Sequence, residues 1–363
     1  MAKKTASVMQ EIQSKAEQLR SVSAEDRQVA AMESKLSAAR GESASLRKDN
    51  ERLVKRNQEL SATLDQMANL VEQERIEAKP VRIDLKKEPN HHAIAIVHWS
   101  DWHVAERVYK SKTNGKNAFN PDICRARVKK LTENTLKLIE LSRKHVVIDE
   151  MVFVLGGDFI TGHLHEELAQ TNCMGVTEEC YFAQKLLEES VGAVIASAKM
   201  KKIRIVCHRG NHGRTTRKMQ FKNDYETSFE SLMYWNLRDR LTMDGVEWVI
   251  PQSDIAYTTL VKDVDLRTIH GHQIKYQGGI GGVSIPLTKW IIRQNQTRPA
   301  IATMLGHFHT FCPAATSSIC GSLKGWDEFA QSHGFTFEEP SQLFMLFDCK
   351  RRHLTARHPI FVE

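Results

Sequence analysis

Five short polar clusters, each placed directly after an apolar run, constrain this chain more than any other feature of its sequence. In order, they are Asp101-Trp102-His103, Gly156-Gly157-Asp158, Gly210-Asn211-His212, His270-Gly271-His272 and Gly306-His307-Phe308-His309. The apolar runs have the length and composition of buried β-strands. Because α/β sheets place their sites at the carboxyl ends of strands, we expect the clusters to converge.

Strand and helix patterns alternate through the rest of this region, which predicts a layered α/β domain. Strands are predicted at 93–97, 151–155, 203–207, 246–250, 255–260, 266–269, 301–305, 343–347 and 360–362. Helices are predicted at 125–144, 178–200 and 229–241.

Residues 1–78 contain no proline and a single glycine, Gly41, and they are rich in residues that favour helices. From Val29 onward, two positions recur at alternating spacings of three and four, which is typical of a coiled-coil seam. One position is Val29, Leu36, Ser43, Asn50, Asn57, Leu64 and Val71, and the other is Met32, Ala39, Leu46, Leu53, Leu60 and Met67.

We expect this segment to join two copies of the chain as a coiled-coil homodimer. Asn50 and Asn57 in the seam favour a parallel, two-stranded assembly. A solvated single helix and a helix packed on its own globular domain are the alternatives, and the rod could also recruit a protein partner. Pro80 ends the segment, so the sequence predicts a helical rod over 1–78, a linker over 79–92 and a globular domain over 93–363.

Net charge and cysteine content indicate the kind of partner and the cellular compartment to expect. The chain has 363 residues and a formal net charge of +7, which favours a polyanionic partner. Its seven cysteines form no CxxC pair, which is typical of reduced thiols in a cytoplasmic protein. The N-terminus lacks the apolar core of a signal peptide, and no apolar stretch approaches the roughly 18 residues that span a bilayer. We therefore expect a cytoplasmic protein with no membrane contact.

The clusters supply carboxylate, imidazole and amide donors. Asp101 and His103 lie two residues apart after a strand, so both side chains can reach one metal ion, and His307 and His309 repeat this spacing. The two oxygens of Asp158 allow one carboxylate to bridge two cations. Each cluster alone is weak evidence, but five in this order predict a centre for two divalent metal ions. Mn²⁺ suits these donors, and Mg²⁺, Fe and Zn²⁺ are alternatives.

The motif order DxH, GD, GNH, HG and GHxH resembles the calcineurin-like metallophosphoesterase superfamily. The resemblance extends over residues 93–347 and implies a layered α/β/β/α sandwich that hydrolyses phosphate esters with two metal ions. The segments 210–216 and 321–325 look like phage-encoded members related to SbcD-type DNA repair exonucleases. That finer resemblance implies DNA as the substrate and the host cytoplasm as the location.

The resemblance also implies a role for each matching residue. The first metal would be held by Asp101, His103, Asp158 and His309. The second would be held by Asp158, Asn211, His270 and His307, with His270 preferred to His272 as the ligand. His212 would face the substrate, where it stabilises the phosphate or donates a proton to the leaving oxygen.

One position departs from the family pattern. Many members carry an acidic residue directly after GNH that orients the histidine, whereas this chain has Gly213 followed by Arg214. The partner that orients His212 is therefore expected elsewhere, with Asp224 and Glu226 as candidates. Arg214 could contact a phosphate oxygen bidentately.

Three further features lie near the clusters. A second GHxH, at 162–165, is interpreted as a substrate-facing loop in which His163 has either a substrate contact or a structural role. The glycine-rich run 278–282 is expected to form a flexible loop at the rim. Residues 190–223 include no acidic residue, and the basic residues after Gly210 could follow a nucleic-acid backbone, whereas the lysines near 200 are equally compatible with a solvated surface.

Three functions are compatible with these observations. The first is a metal-dependent phosphodiesterase, or nuclease, that acts on DNA and dimerises through its rod. The second is a phosphomonoesterase or small-nucleotide phosphodiesterase with the same metals. The third is a non-catalytic coiled-coil adaptor, which the complete set of ligand types disfavours.

Overall fold

The computed structural model describes residues 9–15, 24–72, 90–275 and 282–363. The chain divides into two compact units, Met1–Ile83 and Asp84–Glu363. Most of the linker predicted at 79–92 and most of the glycine-rich run at 278–282 lie outside the described residues.

A long helix, α1 (Ala24–Glu72), dominates the first unit. Its 49 residues extend about 74 Å at the usual helical rise. Residues 9–15 are helical as well. The large apolar side chains of the predicted seam are each more than half exposed, and they are Val29, Met32, Leu36, Leu46, Leu53, Leu60, Leu64 and Met67.

The second unit contains mixed α and β structure. In chain order, its strands are β1 (His92–Trp99), β2 (Val147–Leu155), β3 (Lys202–Cys207), β4 (Val246–Val249), β5 (Ala256–Val261), β6 (Val264–Thr268), β7 (Ala302–Leu305), β8 (Cys312–Pro313), β9 (Ser317–Ile319), β10 (Ser341–Asp348) and β11 (His353–Phe361). Its helices are α2 (Pro121–Arg143), α3 (Glu166–Thr171), α4 (Val176–Ala198), α5 (Phe229–Arg240), α6 (Ser284–Thr297) and α7 (Glu328–Ser332), with a 3-10 turn at Lys110–Lys112.

The strands form two mixed sheets. The six-stranded sheet has the order β11-β10-β1-β2-β3-β4, in which β1 to β4 are mutually parallel and β10 is antiparallel to both of its neighbours, β11 and β1. The five-stranded sheet has the order β5-β6-β7-β9-β8, with β6, β7 and β9 parallel. The carboxyl ends of β1, β2 and β3 therefore lie side by side, as do those of β6 and β7.

Successive side chains of a strand point to opposite faces of the sheet, so they pack into different hydrophobic cores. Val97 packs into a core shared with helical residues such as Leu131 of α2 and Leu187 of α4. Its neighbour Ile96 packs into a second core, together with residues of the five-stranded sheet such as Met304. A third core joins the outer face of that sheet to α6. The six-stranded sheet is therefore covered by helices on one face and by the other sheet on its opposite face.

Every predicted strand and helix of this unit is present in the structure. The largest shift concerns the last strand, which begins at His353 rather than at residue 360. Helices α3, α6 and α7 and the short strands β8 and β9 were not predicted. Within the described residues, no helix is both long and apolar enough to cross a membrane.

Candidate metal centre

The five polar clusters lie at the carboxyl ends of strands, as the sequence predicts. Clusters one to three follow the adjacent strands β1, β2 and β3, and clusters four and five follow β6 and β7. Backbone hydrogen bonds join neighbouring clusters, because Asp101 N–H donates to Gly157 O at 2.9 Å and Gly306 N–H donates to His270 O at 2.7 Å. Backbone bonds alone thus join cluster one to cluster two and cluster four to cluster five.

Two glycines allow the clusters to approach this closely. A Cβ atom at Gly210 would lie 1.9 Å from Asp158 Oδ1, and one at Gly306 would lie 2.2 Å from Asp101 Oδ2. Both distances are shorter than any van der Waals contact, so a larger residue would displace the carboxylate. Gly210 and Gly306 therefore leave the space that the carboxylates of Asp158 and Asp101, on other loops, occupy.

One group of donor atoms consists of Asp101, His103 and His309. The Nε2 atoms of His103 and His309 lie 3.1 Å apart, and His309 Nε2 lies 3.3 Å from Asp101 Oδ1. The backbone N–H of His307 donates to both oxygens of Asp101 at 3.0 Å, which fixes the carboxylate plane. These are three of the four residues predicted to hold the first metal.

Another group consists of Asp158, His270 and His307. His270 Nε2 lies 3.0 Å from Asp158 Oδ2 and 3.2 Å from the amide oxygen of Asn211. His270 Nδ1–H donates to Gly156 O at 2.8 Å, so the opposite ring nitrogen faces the site. The residues predicted to hold the second metal thus lie together.

Asp158 connects the two groups. It also belongs to a third group of possible ligands, with His103 and His212, whose donor atoms lie within 4.8 Å of one another. The backbone N–H of His212 donates to Asp158 Oδ1 at 2.8 Å. The structure therefore contains His and Asp clusters that could bind metal ions, with one carboxylate at their junction.

The protonation states suit cation binding. Burial lowers the pKa of His103 well below its ordinary value, and burial together with His270 lowers the pKa of His307 to about 4. Both imidazoles are therefore neutral, with lone pairs available. Burial opposes ionisation of Asp158, but His270 and His212 hold the pKa of its carboxyl well below the usual range. Neutral imidazoles and ionised carboxylates are the donor forms that divalent metals require.

One imidazole, that of His270, carries a proton that a metal would replace. Burial opposes protonation of His270, but Asp158 and Asp101 raise its pKa to about 10. The His270–Asp158 ion pair thus partly balances the charge of two buried carboxylates. A divalent cation at this position would take over that role, so the residues present fit a metal centre.

His212 is oriented by a backbone carbonyl and not by a carboxylate. Its Nδ1–H donates to Thr161 O at 2.9 Å, which leaves Nε2 to face the site. The candidates Asp224 and Glu226 are both wrong, because Asp224 instead pairs with Arg209 at 2.8 Å and Glu226 is exposed. The sequence gives no sign of this partner, since a main-chain acceptor has no residue signature.

Buried Glu179 of α4 holds that carbonyl in place. Its two carboxylate oxygens accept the consecutive N–H groups of Thr161 at 2.5 Å and Gly162 at 3.0 Å. Burial raises the pKa of Glu179 to about 7. Glu179 is thus connected to His212 through the backbone of the loop that follows Asp158.

A second buried carboxylate explains the glycine after GNH. Glu230 of α5 accepts from Phe159 N at 2.7 Å and from Gly210 N at 2.6 Å, so it clamps the loops of clusters two and three together. A Cβ atom at Gly213 would lie 2.8 Å from Glu230 Cγ. The space beside Gly213, where a larger residue would extend, is therefore filled by Glu230.

Arg214 contacts its own loop. Its guanidinium donates to the carbonyls of Asn211 and Thr216, the latter at 3.2 Å. It therefore stiffens the turn that carries Asn211 and His212. Its predicted contact with a phosphate oxygen stays a prediction.

The second GHxH places its two histidines differently. His165 lies beside His212, with ring centroids 4.8 Å apart, whereas His163 packs against Phe229 at 6.1 Å. The predicted substrate contact concerns only His163, whereas His165 is the histidine that lies beside His212. The regular spacing of the pair does not distinguish them.

Three further histidines lie beside the centre. His98 and His208 are both buried, and a ring nitrogen of His208 is hydrogen-bonded to Thr268 Oγ1 at 2.7 Å. His272 packs on the ring of His270 at 5.5 Å and belongs to none of the three donor groups found among the described residues.

A buried cluster of ion pairs lies beside His103 and joins the loop after β1 to the segment between β9 and α7. Lys324 lies 2.7 Å from Glu106 and 2.6 Å from Asp327, and Glu106 lies 3.9 Å from His103 Nδ1. No local pattern indicates this support, because Glu106 and Lys324 are 218 residues apart in the chain.

Comparison of the sequence with models of known protein families finds no match, and comparison with curated proteins finds none either.

Proposed function

We propose that this chain is a phosphodiesterase that hydrolyses DNA with two divalent metal ions, and that its second unit is the α/β/β/α sandwich of the calcineurin-like metallophosphoesterases. The single observation that carries the proposal is the convergence of Asp101, His103, Asp158, Asn211, His270, His307 and His309 from five separate loops. Such a donor set, with one carboxylate at its junction, suits a pair of cations.

The roles of the residues follow the donor groups. Asp101, His103, Asp158 and His309 would hold one ion, and Asp158, Asn211, His270 and His307 would hold the other. Bound there, two divalent cations supply positive charge that offsets a phosphate group and lowers the pKa of water. Mn²⁺ is the proposed ion because the donors are oxygen and imidazole nitrogen.

His212 is proposed to act on the leaving oxygen. Because its Nδ1–H is bound to Thr161, Nε2 is the atom directed at the centre. In the doubly protonated ring, Nε2–H donates to the oxygen that departs from phosphorus. Arg214, which fixes the turn, keeps His212 in this orientation.

Charge near the centre supports a polyanionic substrate. Of the basic residues in 190–223, Lys201 and Arg204 pair with Asp149 and Glu247, at 2.8 and 3.0 Å. Lys201 and Lys202 also lie at the amino end of β3, away from its polar cluster. Arg217, Lys218 and Lys222 are exposed on the loop that begins at His212. DNA is the substrate that such a loop favours.

The rod is proposed to form a coiled-coil homodimer. Its seam side chains are exposed along α1, and burying them against a second copy would remove a long apolar stripe from water. The same stripe could serve a protein partner with a matching helix.

One assay separates this proposal from the alternatives. Full-length protein with Mn²⁺ is given single-stranded DNA, duplex DNA, bis-p-nitrophenyl phosphate and p-nitrophenyl phosphate, beside Asp158→Ala and His212→Ala variants. We expect cleavage of DNA and of the diester, and its loss in Asp158→Ala. Cleavage of the monoester alone would show a phosphomonoesterase. If none of the substrates is cleaved in a metal-dependent reaction, the non-catalytic adaptor is favoured.

A further inference from the structure

The loop between β3 and α5 includes a solvent-exposed segment, residues 216–223, that is called the finger below. Its base is closed by hydrogen bonds, because Thr215 N–H donates to Thr227 O and Phe229 N–H donates to Gly213 O, both at 2.8 Å. Arg214 pairs with Ser228 as an isolated antiparallel bridge. The chain thus leaves the metal centre at His212, extends through the finger and returns to the same place.

The returning limb is also anchored. Arg209 pairs with Asp224 at 2.8 Å and lies over the ring of Tyr225 at 5.4 Å. The Tyr225 ring packs on Trp235 of α5 at 5.5 Å, and its hydroxyl accepts from the Trp235 ring N–H. With both ends held, the position of the finger relative to His212 is set by the fold.

The tip carries two kinds of exposed side chain. Arg217, Lys218 and Lys222 provide positive charge, and the finger contains no acidic residue. Between these cations, Phe221 is 72% exposed and Met219 is 38% exposed. A single exposed apolar residue is ordinary on a protein surface. An exposed aromatic ring between cations on an anchored loop, however, offers what a nucleic-acid strand binds: charge for phosphates and a flat face for a base.

We propose that the finger binds single-stranded nucleic acid, with a base stacked on Phe221 and the flanking phosphates against Lys218 and Lys222. This inference rests on the proposed function, because it assigns the substrate of the same centre to one strand. A duplex keeps its base faces covered by neighbouring bases, so an exposed ring contributes little to binding it. The unpaired strand would then enter the centre beside His212.

The test is metal-free binding by the full-length chain. Fluorescence anisotropy of a labelled thymidine oligonucleotide is measured in EDTA for the wild type, Phe221→Ala and Phe221→Trp. A control, Phe361→Ala, removes a ring that is 47% exposed on β11. Loss of a stacked base corresponds to roughly tenfold weaker binding. We expect that loss in Phe221→Ala only, with Phe221→Trp and Phe361→Ala close to the wild type.

Salt dependence tests the charge contribution. If Lys222 neutralises a phosphate, Lys222→Gln lowers the slope of log affinity against log salt by about 0.7. The inference is overturned if the wild type does not bind the oligonucleotide, if Phe221→Ala binds within twofold of the wild type, or if it weakens duplex binding equally. Hydrolysis of bis-p-nitrophenyl phosphate by the wild type with Mn²⁺ is assayed separately. Failure there contradicts the proposed function and leaves the binding result to be judged on its own.

Discussion

Five of the converging residues hold a backbone conformation that side chains other than glycine seldom adopt. The φ angles are +55° at Asp101, +47° at His103, +52° at Asp158, +67° at His307 and +53° at His309. Each such residue costs on the order of 1 kcal/mol. The fold tolerates these conformations because the turned backbone directs neighbouring side chains to one point. An extended backbone at the end of a strand would not do so.

The first prediction concerns the link from Glu179 to His212. In Glu179→Gln, one amide oxygen replaces two carboxylate oxygens, so only one of the two N–H groups stays bound and the Thr161 carbonyl shifts. We expect kcat to fall roughly tenfold with KM nearly unchanged, because misplacing a proton donor slows the reaction without weakening binding. The adjacent exposed Glu178→Gln is the matched control.

Two substrates with different leaving groups distinguish a role of Glu179 in positioning His212 from a general disturbance of the loop. p-Nitrophenolate leaves without a proton, whereas phenolate needs one. The kcat loss of Glu179→Gln should therefore be larger for a phenyl than for a p-nitrophenyl phosphodiester. An equal loss on both esters would mean that Glu179 supports the loop without serving His212.

The second prediction concerns pH. Because burial raises the pKa of Glu179 from 4.5 to about 7, this carboxyl binds more protons in the folded than in the unfolded chain between those values. Its contribution to the free energy of unfolding therefore falls as pH rises through that range. Urea denaturation of the wild type and Glu179→Gln should show the wild type losing stability relative to the variant from pH 5 to pH 8. A difference that is constant with pH would contradict it.

The helices and strands differ in how clearly their local sequence predicts them. Strand positions were predictable because short apolar runs precede the polar clusters, as in β2 and β3. Helix α6 was missed because its sequence contains Pro286, which lies in the first turn, where proline is tolerated. Strands β8 and β9 have two and three residues, too few to show any period.

The third prediction tests the coiled coil. Leu53→Glu places a charge in the proposed seam, whereas Gln58→Glu adds the same charge outside it. If the stripe joins two chains, light scattering should give a dimer mass for the wild type and Gln58→Glu, and a lower mass for Leu53→Glu. A wild type with the mass of one chain would show that the rod does not dimerise.

For the whole molecule, the order of the clusters predicted which side chains converge but not what holds them. The donor residues are recognisable because their chemistry appears in short motifs. Their supports, such as Glu179, Glu230 and Lys324, act on residues 18, 20 and 218 positions away and resemble ordinary helix or loop residues. The motifs therefore predict the donor residues, whereas the residues that orient them are recognisable only in the folded chain.

We propose a pair of metal ions joined by Asp158, and the number of Mn²⁺ ions bound per chain is the decisive measurement. Asp158→Asn suits the test, because asparagine tolerates the left-handed backbone at this position but lacks the carboxylate charge. The exposed His163→Ala is the control. After gel filtration, we expect two Mn²⁺ per chain in the wild type and His163→Ala, and fewer than one in Asp158→Asn. One ion or none in the wild type, or two in Asp158→Asn, would overturn the two-metal proposal.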